Sequence, residues 1–323
     1  MISSLSHTSC LLALFILCSG NYVVAIEIPM GDLSGVPPFN VTQKSLLKFL
    51  KLGDTIKFNV PALYVFGDST VDSGNNNFLI SLAKANYTPY GVDFGDGKPT
   101  GRYTNGRTEA DFIAQIVGLP FPPPYLGLSD TENKTLHTGV NYGSGGCGIL
   151  STGQNYLGTC LPFYKQINYF ATTINNLEKR FESKKRFDDY LSKSLLFIDI
   201  GNIDMSSDYN GVGATIFRKY TVPQYAQMVA NEFCKSLERL YKLGARKFLV
   251  NNLGAMGCIP TQVQGQMQKT LCVEKTNRPA VEYNKLLSEM LPKVQVSLPG
   301  SKIVIGDAYN VLMDAVTFPA QYG

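Results

Sequence analysis

One serine stands where chemistry is possible. In ALYVFGDSTVDSGNNN (62–77), five mostly apolar residues run into Gly67-Asp68-Ser69 and then into a polar loop rich in glycine and asparagine. A buried strand that ends by presenting Ser69 to such a loop suits a nucleophile. A serine hydroxyl attacks poorly unless a base takes its proton, and the oxyanion that forms needs donors. Gly-Asp-Ser is also an ordinary turn sequence, and the chain has no Gly-x-Ser-x-Gly elbow. The sequence holds two histidines, His7 and His137. His137 lies in TLHTGVNY, where a loop histidine without a catalytic task is expected.

A second glycine pattern needs separating from the first. Gly143, Gly145 and Gly148 satisfy Gly-x-Gly-x-x-Gly after a strand-like run. A dinucleotide site also needs an immediate helix start and an acid about 20 residues on. STGQNYLG is no helix start, and residues 166–170 hold no acid. Nucleotide binding is not expected.

The elements that must position Ser69 follow from periodicity. Strand-like runs occupy 62–66, 139–142, 195–200, 246–252 and 302–307, and helical patterns occupy 108–118, 161–181, 222–244 and 278–294. Short buried strands alternating with amphipathic helices predict a parallel α/β sheet covered on both faces. Active groups in such sheets sit on loops at the carboxyl ends of strands, where Ser69 falls. EKRFESKKRFDD (178–189) alternates in sign and is expected to be a solvated helix end or loop.

Net charge is +4 with both signs interspersed, so no nucleic-acid footprint is visible. Residues 1–25 contain no Lys, Arg, Asp or Glu and enclose the apolar LLALFILCSG. This predicts a secretory signal peptide over 1–25. A poorly patterned leader over 26–60 and one α/β-patterned domain over 61–323 follow. No later segment reaches membrane-spanning length. Sequons at Asn40, Asn86 and Asn133 agree with secretion.

FGDSTVDSGNNN, PTGRYTNGRTEADFIA (99–114), GVNYGSGGCGIL (139–150) and IDIGNIDMSSDY (198–209) occur in this order. Together they resemble the plant GDSL esterase/lipase family of the SGNH hydrolases, over about Ala62 to Gly323. The resemblance implies a three-layer α/β/α, flavodoxin-like fold with a central parallel sheet of about five strands. It implies ester hydrolysis through a serine acyl-enzyme. By motif position Ser69 matches the nucleophile, and its backbone N–H matches one oxyanion donor. Gly146 matches a second donor, where glycine lets the backbone approach substrate. Asp68 and Asn75–Asn77 are expected to order the loop by side-chain-to-backbone bonds. Thr70 replaces the leucine of the family name, a change expected to be tolerated.

Two departures stand out. The third motif should read Gly-x-Asn-Asp and reads Gly201-Asn202-Ile203-Asp204. Ile203 thus replaces the asparagine that donates to the oxyanion, and Asn202 sits one place early. The family's Asp-x-x-His, which supplies the base and its orienting acid, is absent. Asp307-x-x-Asn310 mimics its spacing without the histidine, and the chain is expected to be shortened before that motif. Cys258 and Cys272 are expected to form a disulfide, as are Cys147 and Cys160 beside Gly146. Cys234 is expected to be a buried thiol on a helix.

The expectation is therefore a secreted, monomeric GDSL-type hydrolase with impaired turnover. Its substrate would be a small-molecule, lipid or acylated-polysaccharide ester, with no cofactor, metal or nucleic acid. The alternatives are a non-catalytic secreted binder of acyl or acetylated cell-wall ligands, and a truncated form of an active enzyme.

Overall fold

A computed structural model describes residues 15–17, 23–25, 58–129, 136–150, 157–206, 219–264 and 270–321. Strands β1 (Phe15–Leu17) and β2 (Val23–Ala25) form a small antiparallel pair. Residues 26–57 of the expected leader, with Asn40, and the sequon at Asn133 lie outside the described residues.

The central sheet holds β3 (Leu63–Gly67), β4 (Leu195–Asp199), β5 (Lys247–Asn251) and β6 (Lys302–Gly306). They are parallel, in spatial order β3-β4-β5-β6. The sheet thus has four strands rather than about five. The missing one, at 139–142, makes only isolated parallel bridges, Val65 with Asn141 and Pro124 with Asn141. Val65 N–H donates to the Val140 carbonyl at 2.9 Å, and Tyr142 N–H donates to Val65 at 2.8 Å. On its other side the Asn141 backbone pairs with the 123–125 segment, donating to the Pro123 carbonyl and accepting from Tyr125 N–H, both at 2.9 Å, and its side chain bonds the neighbouring loops. That side chain donates to the Val71 carbonyl at 2.6 Å and accepts from Gly143 N–H at 2.8 Å. With this segment counted, the strand order is 2-1-3-4-5. In that order the connections reverse between β3 and β4, which is where ligands bind in open α/β sheets.

Side chains alternate across the sheet. Leu63, Val65, Leu195, Phe197, Leu249 and Val304 face Ala110, Ile113 and Ala114 of helix α1 (Glu109–Val117). Tyr64, Phe66, Leu196, Ile198, Phe248 and Val250 face the opposite layer. That layer is built from α2 (Phe163–Glu178), α3 (Lys184–Lys193), α5 (Val222–Lys242) and α7 (Glu274–Ser297). Short helices α4 (Asn202–Met205) and α6 (Pro260–Val263) and helix α8 (Ala308–Thr317) complete the chain. Phe66 is fully buried, with its ring 5.2 Å from Tyr142 and 5.5 Å from Phe170. Burial of one such side chain stabilises by about 1.5–3 kcal/mol.

The charged run is solvated, as expected of a helix end or loop: it spans the end of α2, a short loop and the exposed start of α3. Ser183 caps the helix by accepting from Arg186 N–H. Phe187 and Leu191, four apart, are buried beneath a face carrying the Lys184–Asp188 and Lys193–Asp189 ion pairs. Disulfides join Cys147 to Cys160 and Cys258 to Cys272, and Cys234 is a buried thiol on α5. Among the described residues, no helix is long and apolar enough to cross a membrane.

Candidate active site

Strand β3 ends in a tight junction. A Cβ on Gly67 would stand 2.2 Å from the Asp199 carbonyl oxygen and 2.3 Å from Val71 Cγ2. Only glycine lets β3, β4 and the following turn close together. Gln166 of α2 clamps the same residue, accepting from Gly67 N–H at 2.9 Å and donating to its carbonyl at 2.8 Å. Asp72 N–H then donates to the Asp68 carbonyl at 3.1 Å, closing one turn around Ser69. Asp68 Oδ1 accepts from the N–H and hydroxyl of Thr70, both at 3.0 Å. Ser69 is left half-buried at the carboxyl end of β3. Its hydroxyl has no hydrogen-bond partner among the described residues.

The asparagine run does more than order its own loop. Asn75 Nδ2 donates to the carbonyls of Asn141 and Gly143 at 2.9 and 2.8 Å. Asn76 Nδ2 donates to Ala83 and Gly145 carbonyls at 2.8 and 2.7 Å, and its Oδ1 accepts from the Ser144 hydroxyl. Asn77 turns outward to the Thr100 carbonyl. Asp72 adds to the seam from below. Its carboxylate accepts from the N–H groups of Gly74, Asn75 and Gly145 at 2.7, 2.7 and 3.0 Å. Burial pushes Asp72 up to about 6 although these donors pull it down. The nucleophile turn and the 141–146 loop are therefore one hydrogen-bonded unit.

Gly146 lies on that unit, half-buried with φ +84. A Cβ there would meet only Ala83 Cβ at 3.5 Å and Leu157 Cδ1 at 3.8 Å, so backbone conformation rather than space requires glycine. Beyond it, Asp204 accepts from Ile149 N–H at 2.7 Å and Leu150 N–H at 2.9 Å. Burial pushes the Asp204 carboxyl up to about 7. Gly148 has no room for a side chain, since a Cβ would lie 2.1 Å from Asp204 Oδ2. Gly143 is crowded by Val71 and Gly145 by Tyr103. These three glycines thus serve loop packing, and among the described residues the next helix is α2, which starts only at Phe163.

The sequence model of the GDSL-like Lipase/Acylhydrolase family matches residues 63–322. The chain belongs to the GDSL esterase/lipase family. It is 39% identical to a GDSL esterase/lipase of Arabidopsis thaliana over 306 residues, 94% of this chain and 74% of that relative. It is also 39% identical to Arabidopsis thaliana GDSL esterase/lipase 7 over 268 residues, 81% of this chain and 72% of the relative. The family hydrolyses ester bonds.

Where this GDSL chain departs from the family pattern, the geometry is informative. Thr70 is exposed, and its hydroxyl bonds Asp68, so the replaced leucine leaves no gap. Gly201, with φ +119, turns the chain into α4. Asn202 directs its amide hydrogens to Asp68 Oδ2 at 3.3 Å and Asp199 Oδ1 at 3.5 Å. Its Oδ1 is buried without a partner, and Ile203 is half-buried. Asn251 Nδ2 links Asp199 at 3.3 Å to Glu109 at 2.8 Å. Burial raises all three carboxyls, Asp199 most strongly because Asp68 and Glu109 also repel its charge. Glu109 is pushed up to about 7.

Neither candidate for a base serves Ser69. His137 is exposed and precedes the 139–142 segment, whose Gly139 packs on Leu63 at the start of β3. The Tyr190 hydroxyl donates to its carbonyl at 2.9 Å. Five strand residues, about 16 Å, separate this end of the sheet from Ser69. Asp307 caps α8 instead. It accepts from Asn310 N–H at 3.2 Å and from the side-chain amides of Asn252 and Asn310. Asp72 and Asp204 were not singled out from sequence. Their only local signal is an acid inside each motif with no cation nearby.

Proposed function

We propose that this chain is a secreted serine hydrolase of carboxylic esters, with Ser69 as nucleophile and the N–H groups of Ser69 and Gly146 as oxyanion donors. The observation that carries it is the half-buried Ser69 turn, bonded through Asn75, Asn76 and Asp72 to the loop of Gly146. Ser69 Oγ attacks the ester carbonyl carbon, its proton passes to a base, and the tetrahedral oxyanion is held by the two N–H groups. Collapse expels the alcohol, protonated by the same base, and leaves the acyl-serine for water to hydrolyse. The apolar leader, the exposed sequon at Asn86 and the two disulfides support secretion.

Among the described residues no histidine stands at the carboxyl end of the sheet, and the 323 residues by themselves are expected to leave Ser69 placed but not activated. Loss of the histidine of a serine triad lowers turnover about 10⁶-fold. The same observation favours a second reading, a secreted binder of acyl or acetylated ligands. The test is hydrolysis of a short p-nitrophenyl ester together with labelling by a fluorophosphonate. The chain is expected to match its Ser69→Ala variant in both. Appending a segment with Asp-x-x-His is expected to raise the rate, and adding Ile203→Asn to raise it by a further 10²–10³-fold, roughly. No Ser69-dependent gain in the appended form would refute the hydrolase reading and leave the binder.

A further inference from the structure

Eleven large apolar side chains are strongly exposed among the described residues, and five of them fall within 78–92, directly after the nucleophile loop. They are Phe78, Ile80, Leu82, Tyr87 and Val92. Ile80 and Leu82 are 90% and 81% exposed. Their backbone is nonetheless pinned. Leu82 N–H donates to the Leu157 carbonyl at 2.6 Å, and Thr159 N–H donates to the Ile80 carbonyl at 2.8 Å. Ser81, between them, turns its hydroxyl inward to the Leu157 carbonyl. These bonds fix the backbone on both sides of Ser81, and Ile80 and Leu82 project outward from it.

This strip borders the oxyanion glycine. Ala83, next in sequence, and Leu157, bonded to Leu82, are the two side chains nearest the open side of Gly146. Formal charge over 78–98 is balanced, with Lys84 and Lys98 against Asp93 and Asp96, and Asp96 pairs directly with Lys98. Attraction to this face is thus apolar, not electrostatic. Side chains that protrude from a pinned loop segment suit a fluid apolar partner that needs no complementary groove. We propose that Ile80 and Leu82, with Phe78 beside them, dock the protein onto the surface of a neutral ester-lipid aggregate, with the mouth of the Ser69–Gly146 site against the lipid. The proposal rests on the ester-hydrolase reading and names the physical form in which the substrate is met. Apolar side chains that enter the headgroup boundary bind in proportion to the area they bury.

The experiment is flotation of the intact chain with phosphatidylcholine vesicles at low and high salt, beside gel filtration. The wild type is expected to float equally at both salts. The double variant Ile80→Ser/Leu82→Ser should lose roughly 100-fold in partition coefficient, and its exposed positions leave folding intact by circular dichroism. Ser69→Ala should float like the wild type, so failure of the catalytic reading is seen separately, in labelling. No flotation of the wild type, equal flotation of the double variant, or release by salt would overturn the proposal. So would a dimer that the double variant converts to monomer, because a second copy would then cover the strip.

Discussion

The Asp204 carboxylate sets two effects of opposite sign against each other, and pH separates them. Its oxygens accept from Ile149 and Leu150 N–H at 2.7 and 2.9 Å, which favours the charged form. Its burial, with 8% of the residue exposed, disfavours that form. Burial prevails, and the group is pushed from 3.8 up to about 7. A carboxyl whose folded pKa lies above its unfolded one holds its proton longer in the folded state. Its contribution is present in full below about pH 4 and is lost as pH rises to about 7. Three units at 1.36 kcal/mol each give about 4 kcal/mol. Asp204→Asn does not titrate, so wild-type stability should fall relative to this variant by about that amount between pH 4 and 7 and then level off. Urea unfolding followed by circular dichroism across pH 4–8 reads the difference directly. A difference that is flat with pH, or that rises, would refute the reasoning, since the two N–H bonds would then outweigh burial.

Asn76→Ala strips partners from the Ala83 and Gly145 carbonyls and the Ser144 hydroxyl. It should destabilise the fold by about 3 kcal/mol, read as a lower urea midpoint at unchanged slope. Replacing Cys147 and Cys160 by serine opens a 13-residue separation and should lose about 3 kcal/mol. Non-reducing peptide mapping of the wild type should find both Cys147–Cys160 and Cys258–Cys272 bridged. Expression through a secretory pathway should yield a chain beginning near Ile26 with a glycan that Asn86→Gln removes; an intact mass that retains Met1 and carries no glycan would count against secretion.

The sequence by itself determined the layer order and the ends of the main strands. Strands buried on both faces must be continuous apolar runs, and LYVFG, LLFID and KFLVN stand out as such between amphipathic helices. It also determined the place of Ser69, because a strand end followed by Gly-Asp-Ser is a local event. Helix α3 was half hidden, since eight of its ten residues are polar or aromatic-polar and only Phe187 and Leu191 mark the buried side. The segment at 139–142 reads as a strand from its pattern, and only the tertiary structure shows that its pairing is limited to single bridges with Val65 and Pro124 at Asn141. Tertiary structure alone decided the rest. Asp72 reaches Gly145 across 73 residues, and Asp204 reaches Ile149 across 55. Such bonds have no local spacing, so no pattern along the chain announces them. His137 was set at the far end of the sheet from Ser69 by strand direction. A parallel segment entering beside the start of β3 carries whatever precedes it to the amino end, while the reacting groups gather at the other.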